Sequence, residues 1–164
     1  MFITTTMNKI YYVTGPMYSL SLPDAMKAAL NKIMQSGDKV ITSDWRGTDY
    51  GVQLHLYSNH YTKLSVYTHQ SIPYMRVSAS TNFHRANVKW AWLDKLIQVS
   101  CEMINDADAV VVLWSNTSKA IYNTIVRALE LGREVFVYKQ DSNEWLKSKQ
   151  DIQKLLQNSG ALFI

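Results

Sequence analysis

The sequence predicts an α/β fold, a Rossmann-like three-layer domain built on a mainly parallel five-stranded sheet. Two observations predict it. Short β-rich runs alternate with longer helical patterns, the order that builds right-handed βαβ units and a parallel sheet. The run from Ala109 to Trp114 is continuously apolar and largely β-branched, as a strand covered on both faces has to be. At 164 residues, 47% hydrophobic and 18% charged, the chain suits one domain over residues 1–164, with a core that needs no disulfide or metal staple.

The elements follow in order. Lys9 to Val13 is a short strand ending at Thr14-Gly15-Pro16. Ser21 to Gln35 has helical spacing, with Ala25, Ala28, Ala29, Ile33 and Met34 on one side. Ser21 is expected to cap it and Gly37 to close it. Lys39 to Thr42 is the second strand, Asp49 to Tyr57 the second helix and Leu64 to Tyr67 the third strand. Between His69 and Ala86 the pattern dissolves into Ser, Asn, Thr, His and Arg around Pro73, and such long irregular stretches in compact domains are often functional. A helix is expected from about Val88 to Asn105, before the strong strand at Ala109 to Trp114. Lys119 to Leu131 forms the next helix, ended by Gly132, and Glu134 to Tyr138 the fifth strand. A last helix is expected from about Glu144 to Gln157, where Lys147, Lys149 and Lys154 would share a solvated face with Glu144 and Asp151.

Composition narrows the function. A single cysteine, Cys101, excludes an intramolecular disulfide and a cysteine-rich zinc site, and its apolar helical setting predicts a buried thiol. The histidines His55, His60, His69 and His84 lack ligand-like spacing with acids or Cys101, so no metal site is expected. No apolar run is long enough to span a bilayer, and Met1 to Lys9 carries no secretory pattern, so the expectation is a cytoplasmic protein without membrane attachment. The net charge of +4 is mild and scattered; it favours an anionic small molecule over the dense basic stripe of a nucleic-acid surface. Tyr11, Tyr12, Tyr57, Trp90 and Trp92 read as core or interface.

Ligands of open parallel sheets bind beyond the carboxyl ends of the strands, and three loops there are unusual. Thr14-Gly15-Pro16-Met17-Tyr18-Ser19 puts glycine directly after a strand, where backbone can approach a ligand, or simply turn tightly. It is not the GxGxxG fingerprint of dinucleotide sites. Ser43 to Asp49 joins Asp44, Trp45, Arg46, Gly47 and Asp49 between a strand and a helix. Arg46 suits a phosphate, Trp45 a base and the two carboxylates ribose hydroxyls, although Asp49 could equally just cap its helix. Ser115 to Lys119 places hydroxyls and a lysine at a helix start, either a phosphate cradle or an ordinary cap. His84-Arg85 could fold over a ligand or stay solvated. No Gly-x-Ser-x-Gly elbow is present.

With these loops placed, the chain resembles the SLOG superfamily, the Rossmann-like group that includes DprA-type and LOG-type nucleotide-binding domains. The family's glycine-aspartate, glycine, aspartate pattern is similar to Ser43-Asp44, Gly47 and Asp49, with Gln53 at the glutamine one helical turn on. Its later pattern is similar to Trp114, Ser118-Lys119-Ala120-Ile121 and Asn123-Thr124-Ile125, and Met103 and Ala107-Asp108 also fit. The Tyr12 to Met17 stretch separately resembles the opening of nucleoside deoxyribosyltransferase-like proteins. Three departures stand out. Ser43 replaces the glycine before Asp44, and Ala120-Ile121 replaces Gly-Thr. The Pro-Gly-Gly and glutamate of LOG-type phosphoribohydrolases are absent. Where a deoxyribosyltransferase-like enzyme would carry a nucleophilic glutamate stands Asn123, which cannot act as nucleophile or base; Glu130 lies two turns further on.

The resemblance implies a nucleotide-derived ligand, of the ADP-ribose or cyclic-nucleotide type, bound as a signal to be sensed or sequestered, without a cofactor, by a protein that associates with copies of itself. The expected ligand contacts are Thr14, Gly15, Pro16, Asp44, Trp45, Arg46, Gly47, Asp49, Trp114, Ser115, Ser118, Lys119 and Asn123. Two alternatives stay open. An N-glycosidic or phosphoribosyl hydrolase or transferase would use Asp44 or Asp49 as its catalytic acid, base or nucleophile. A DprA-like accessory would bind single-stranded DNA through Arg46, Lys119 and loop aromatics.

Overall fold

The computed structural model describes residues 8–19, 21–91 and 93–160, so Trp92 lies outside the described residues. Among the described residues seven strands and five helices follow in the order β1 (Ile10–Thr14), α1 (Asp24–Ser36), β2 (Lys39–Ser43), α2 (Thr48–Ser58), β3 (Leu64–Thr68), β4 (Phe83–Arg85), α3 (Lys95–Asp106), β5 (Ala109–Leu113), α4 (Lys119–Glu130), β6 (Glu134–Lys139), β7 (Glu144–Leu146) and α5 (Lys149–Gly160). They form one sheet in the order β4-β3-β2-β1-β5-β6-β7, parallel throughout except for the antiparallel β6–β7 pair. The fold is Rossmann-like α/β, as the alternation of runs predicts.

Period-two alternation explains how both faces of the sheet are buried. In β5, Val111 and Leu113 join the core under α1 and α2, with Met26, Leu30, Ile33, Val52 and Leu56. Val110 and Val112 join the core on the other face, with Met103 and Ile104 of α3, Ile121 and Ile125 of α4 and Ile152 of α5. From β1 the chain winds one way through β2 and β3; from β5 it winds the other way through β6. The switch therefore lies between β1 and β5, the position where such sheets open a crevice at their carboxyl margin. The register brings the ends of β1, β2, β3 and β5 to that margin, Thr14 opposite Val112 and Ser43 opposite Tyr67.

Several expectations need correction. Two further strands extend the five predicted. β4 forms inside the stretch read as irregular, pairing Phe83, His84 and Arg85 with Val66, Tyr67 and Thr68. β7 replaces the first turn of the predicted last helix, because Glu144 and Leu146 pair with Lys139 and Val137; α5 begins only at Lys149. The solvated face thus joins Lys149, Asp151 and Lys154, with Glu144 and Lys147 outside it. α1 begins at Asp24 instead of Ser21. Pro23 disfavours helical backbone at the residue before it, so the proline itself takes the cap position without a side-chain bond. α3 begins at Lys95, capped by the Asp94 carboxylate accepting from the Leu96 N–H at 2.7 Å. The buried Gln98 side chain holds the preceding turn by accepting from the Lys89 and Trp90 N–H groups and donating to the Trp90 and Leu93 carbonyls. Cys101 is only half-buried, with its sulfur accepting from the Arg127 guanidinium. Of the aromatics read as core or interface, Tyr12 is core and Tyr11 half-buried, while Tyr57 and Trp90 are exposed.

Gly37 closes α1 in the left-handed region, as predicted, at φ +71°. Gly47 is a stricter requirement. It has φ +84°, and a Cβ there would fall inside the Met17 backbone. Gly132 shares a positive φ of +71° but has open space around it. Gly47→Ala is therefore expected to lose more than about 3 kcal/mol, against about 1 kcal/mol for Gly132→Ala. Urea unfolding of the two variants beside the parent protein measures the difference.

Candidate functional site

The loops after β1 and β2 are locked together. The Pro16 carbonyl accepts both the Thr48 N–H, at 3.1 Å, and the Thr48 hydroxyl, at 3.0 Å. A Cβ on Gly15 would stand 2.5 Å from Thr48 Oγ1 and 2.8 Å from Leu113 Cβ, so the glycine serves helix–strand packing as well as the turn. Gly47 lies against the Pro16–Met17 backbone. These contacts leave Thr14, Gly15 and Pro16 buried.

Asp49 completes the lock from the first turn of α2. Its Oδ1 accepts from the Thr14 hydroxyl at 2.7 Å. Its Oδ2 accepts from the Ser43 N–H at 3.3 Å and from the Ser43 hydroxyl. The carboxylate ties the ends of two strands to a helix and does not cap it; Gly47 holds the cap position with no side-chain bond. Burial pushes its pKa up to about 6, and the hydrogen bonds from Ser43, Thr14 and Gly15 oppose that rise without cancelling it.

Asp44 shapes the next loop. It is 2% exposed, and its Oδ2 accepts from the Thr68 hydroxyl and the Tyr74 N–H, both at 2.7 Å. Its own carbonyl accepts the Met75 N–H. Gln53, fully buried, works beside it. The amide nitrogen donates to the Ser43 and Met75 carbonyls, and the amide oxygen accepts from the Val77 N–H at 3.0 Å. Two buried side chains therefore satisfy the backbone of a segment that has no regular structure, as buried polar groups require.

The result is a cleft of about 360 Å³ beyond the carboxyl ends of β2 and β3, lined by Asp44, Trp45, Arg46, His69, Gln70 and Tyr74. The Trp45 and Tyr74 rings stand 6.3 Å apart at 41°. A smaller cavity of about 230 Å³ lies near Leu64, at the opposite, amino end of β3, and no carboxylate, guanidinium or ammonium lines it. Charge and position both favour the first.

The loop after β5 is less open than its composition suggests. Trp114 is buried, and its indole N–H donates to Asn116 Oδ1 at 2.6 Å. Ser118 caps α4 by accepting the Ile121 N–H. Ser115 accepts the Thr117 N–H, and the Tyr18 hydroxyl from the β1 loop lies 2.5 Å from Thr117 Oγ1 and 3.4 Å from Ser115 Oγ. Lys119 and Asn123 are exposed on the first turns of α4.

Of the residues singled out by sequence, Asp44, Trp45 and Arg46 line the cleft. Thr14, Gly15, Pro16, Gly47 and Asp49 form the scaffold beneath it. Ser115 joins them through Tyr18, whereas Ser118, Lys119 and Asn123 stand across the switch point on α4. His84 does not fold over the cleft; it pairs with Glu102 at 3.0 Å from the edge strand. The cleft adds Gln70 and Tyr74, and with them His69, which the sequence shows only as a histidine without metal-ligand spacing; the irregular pattern from His69 to Ala86 is the signal in the sequence that points to all three. Among the described residues no helix is long and apolar enough to cross a membrane, and no group of three His, Cys, Asp or Glu is placed to hold a metal ion. No protein-family model and no curated protein matches the chain.

The raised pKa of Asp49 has a signed consequence. Between about pH 4 and pH 6 the folded state holds a proton that the unfolded chain has released, so stability falls as pH rises through that window and levels above it. The rise to about 6 corresponds to about 3 kcal/mol at most. Asp49→Asn abolishes this component, so the stability difference between variant and parent, followed by urea unfolding from pH 4 to pH 7, should change by about 1–3 kcal/mol in the variant's favour.

Proposed function

We propose that this protein binds a small, phosphate-bearing nucleotide derivative at the carboxyl margin of its sheet and acts as a sensor or sequestering protein of the SLOG type. The observation that carries the reading is the cleft itself. It sits where open parallel sheets hold their ligands, its volume is at the lower end of the range for small-molecule sites, and it combines a guanidinium with two aromatic rings. Arg46 is exposed, so its five donors are available to a phosphate. Lys119 at the start of α4 adds a second positive charge along the same margin.

Binding is favoured over turnover because the carboxylates are spent on the scaffold. Asp49 accepts from two hydroxyls and backbone and lies beneath the loops, an arrangement that holds structure together instead of presenting a nucleophile. Asp44 commits one oxygen to the segment that forms the far wall.

Calorimetric titration with AMP and ADP-ribose tests the reading. Arg46→Ala is expected to weaken binding about tenfold or more, with folding unchanged because the side chain is exposed. Absence of binding to either compound at millimolar concentration would sink the proposal, and release of free base during the titration would replace it with a hydrolase.

A further inference from the structure

Resting on that reading, the geometry points to a base-recognition subsite in the cleft between Trp45 and Tyr74, selective for nucleotides whose base carries an exocyclic amino group. Three observations converge on it. The first is the pair of rings. At 6.3 Å and 41° the Trp45 and Tyr74 rings are too far apart and too tilted to stack face to face on each other, and a rotation toward parallel with a slight opening, to about 7 Å, makes them jaws for a planar ring. Tyr74 is 64% exposed, so its ring is held by no core packing and is able to turn; its N–H, by contrast, is pinned to Asp44 at 2.7 Å.

The second is the Asp44 carboxylate in the same cleft. Its Oδ2 accepts from the Thr68 hydroxyl and the Tyr74 N–H. Its Oδ1 takes no hydrogen bond from the described residues. No fully buried side-chain oxygen among them lacks a partner, so Oδ1 reaches solvent. The residue is nonetheless 2% exposed, and the space it lines is the cleft. An ionised carboxylate oxygen accepts only, so it favours an amino group and repels a carbonyl at the same place.

The third is size and surroundings. About 360 Å³ is room for a base with its sugar. Arg46 lines the same cleft, so the phosphate of a mononucleotide and its base would be held by neighbouring residues of one loop. The walls are set before any ligand arrives, because Asp44 and Gln53 fix the segment from Thr68 to Val77 by hydrogen bonds to the Thr68 hydroxyl and to the backbone of Tyr74, Met75 and Val77.

Calorimetric titration with AMP, IMP and ribose 5-phosphate separates the subsite from the phosphate grip. AMP is expected to bind about tenfold or more tighter than IMP and than ribose 5-phosphate. Trp45→Ala and Tyr74→Ala should each bring AMP toward the affinity of ribose 5-phosphate while leaving ribose 5-phosphate itself unchanged, which also certifies that the variants fold. Equal affinity for AMP and ribose 5-phosphate would overturn the base subsite and leave phosphate binding standing. Equal affinity for AMP and IMP would overturn selection by Asp44. Failure of all three compounds to bind would overturn the subsite together with the nucleotide reading on which it rests.

Discussion

The arrangement of this molecule's carboxyl margin depends on one buried carboxylate. Taking an aspartate out of water costs several kcal/mol unless hydrogen bonds replace its hydration. Asp49 meets that demand with Thr14 and Ser43, the last residues of two neighbouring strands. The compensation is partial, as the pKa near 6 shows. What the bonds supply is position. With α2 drawn onto β1 and β2, Thr48 meets the Pro16 carbonyl, Gly15 has no room for a side chain, and Gly47 is pressed onto the Met17 backbone. Two loops that could have moved independently become one body.

A division of labour follows. The polar side chains nearest the strand ends (Thr14, Ser43, Asp49 and Gln53) face inward and build the platform. Those one step further out, Trp45, Arg46, His69, Gln70 and Tyr74, line the cleft. Asp44 belongs to both groups: its Oδ2 is bound into the scaffold, and the residue lines the cleft. The platform positions the cleft residues through their backbone: the Trp45 N–H donates to the Ser43 hydroxyl, the Gln70 N–H to the Thr68 hydroxyl and the Tyr74 N–H to Asp44.

Much of this was legible in the sequence where a pattern was long and the physics local. The apolar run at Ala109 to Leu113 marked the central strand, and glycines 37 and 132 marked the helix ends. Trp45 and Arg46 stood out because an indole and a guanidinium between a strand and a helix are unusual company. Legibility ended where structure depends on a tertiary partner instead of on the local pattern. Glu144 to Leu146 has nothing to distinguish it from a helix start until β6 is beside it, and Phe83 to Arg85 forms a strand because β3 offers an open edge. Asp49 reads as either a cap or a ligand contact; its actual partners, 35 and 6 residues away, are the last residues of two neighbouring strands. The same limit concealed Tyr74, whose place in the cleft is set by bonds to Asp44 across 30 residues.

The margins of the sheet carry a consequence of their own. Both terminal strands, β4 and β7, are only three residues long. An extended outer strand would present a row of unpaired amides to any passing polypeptide and invite it to continue the ladder. Here the buried, β-branched strands most suited to such recruitment are kept in the interior, and a newcomer at either side would find a rung or two and no more. β4 adds the charged Arg85 and the Glu102-paired His84 to its outer row, and its pairing ends there. The two smallest strands thus act as selvedges, finishing the weave so that it neither frays nor grows.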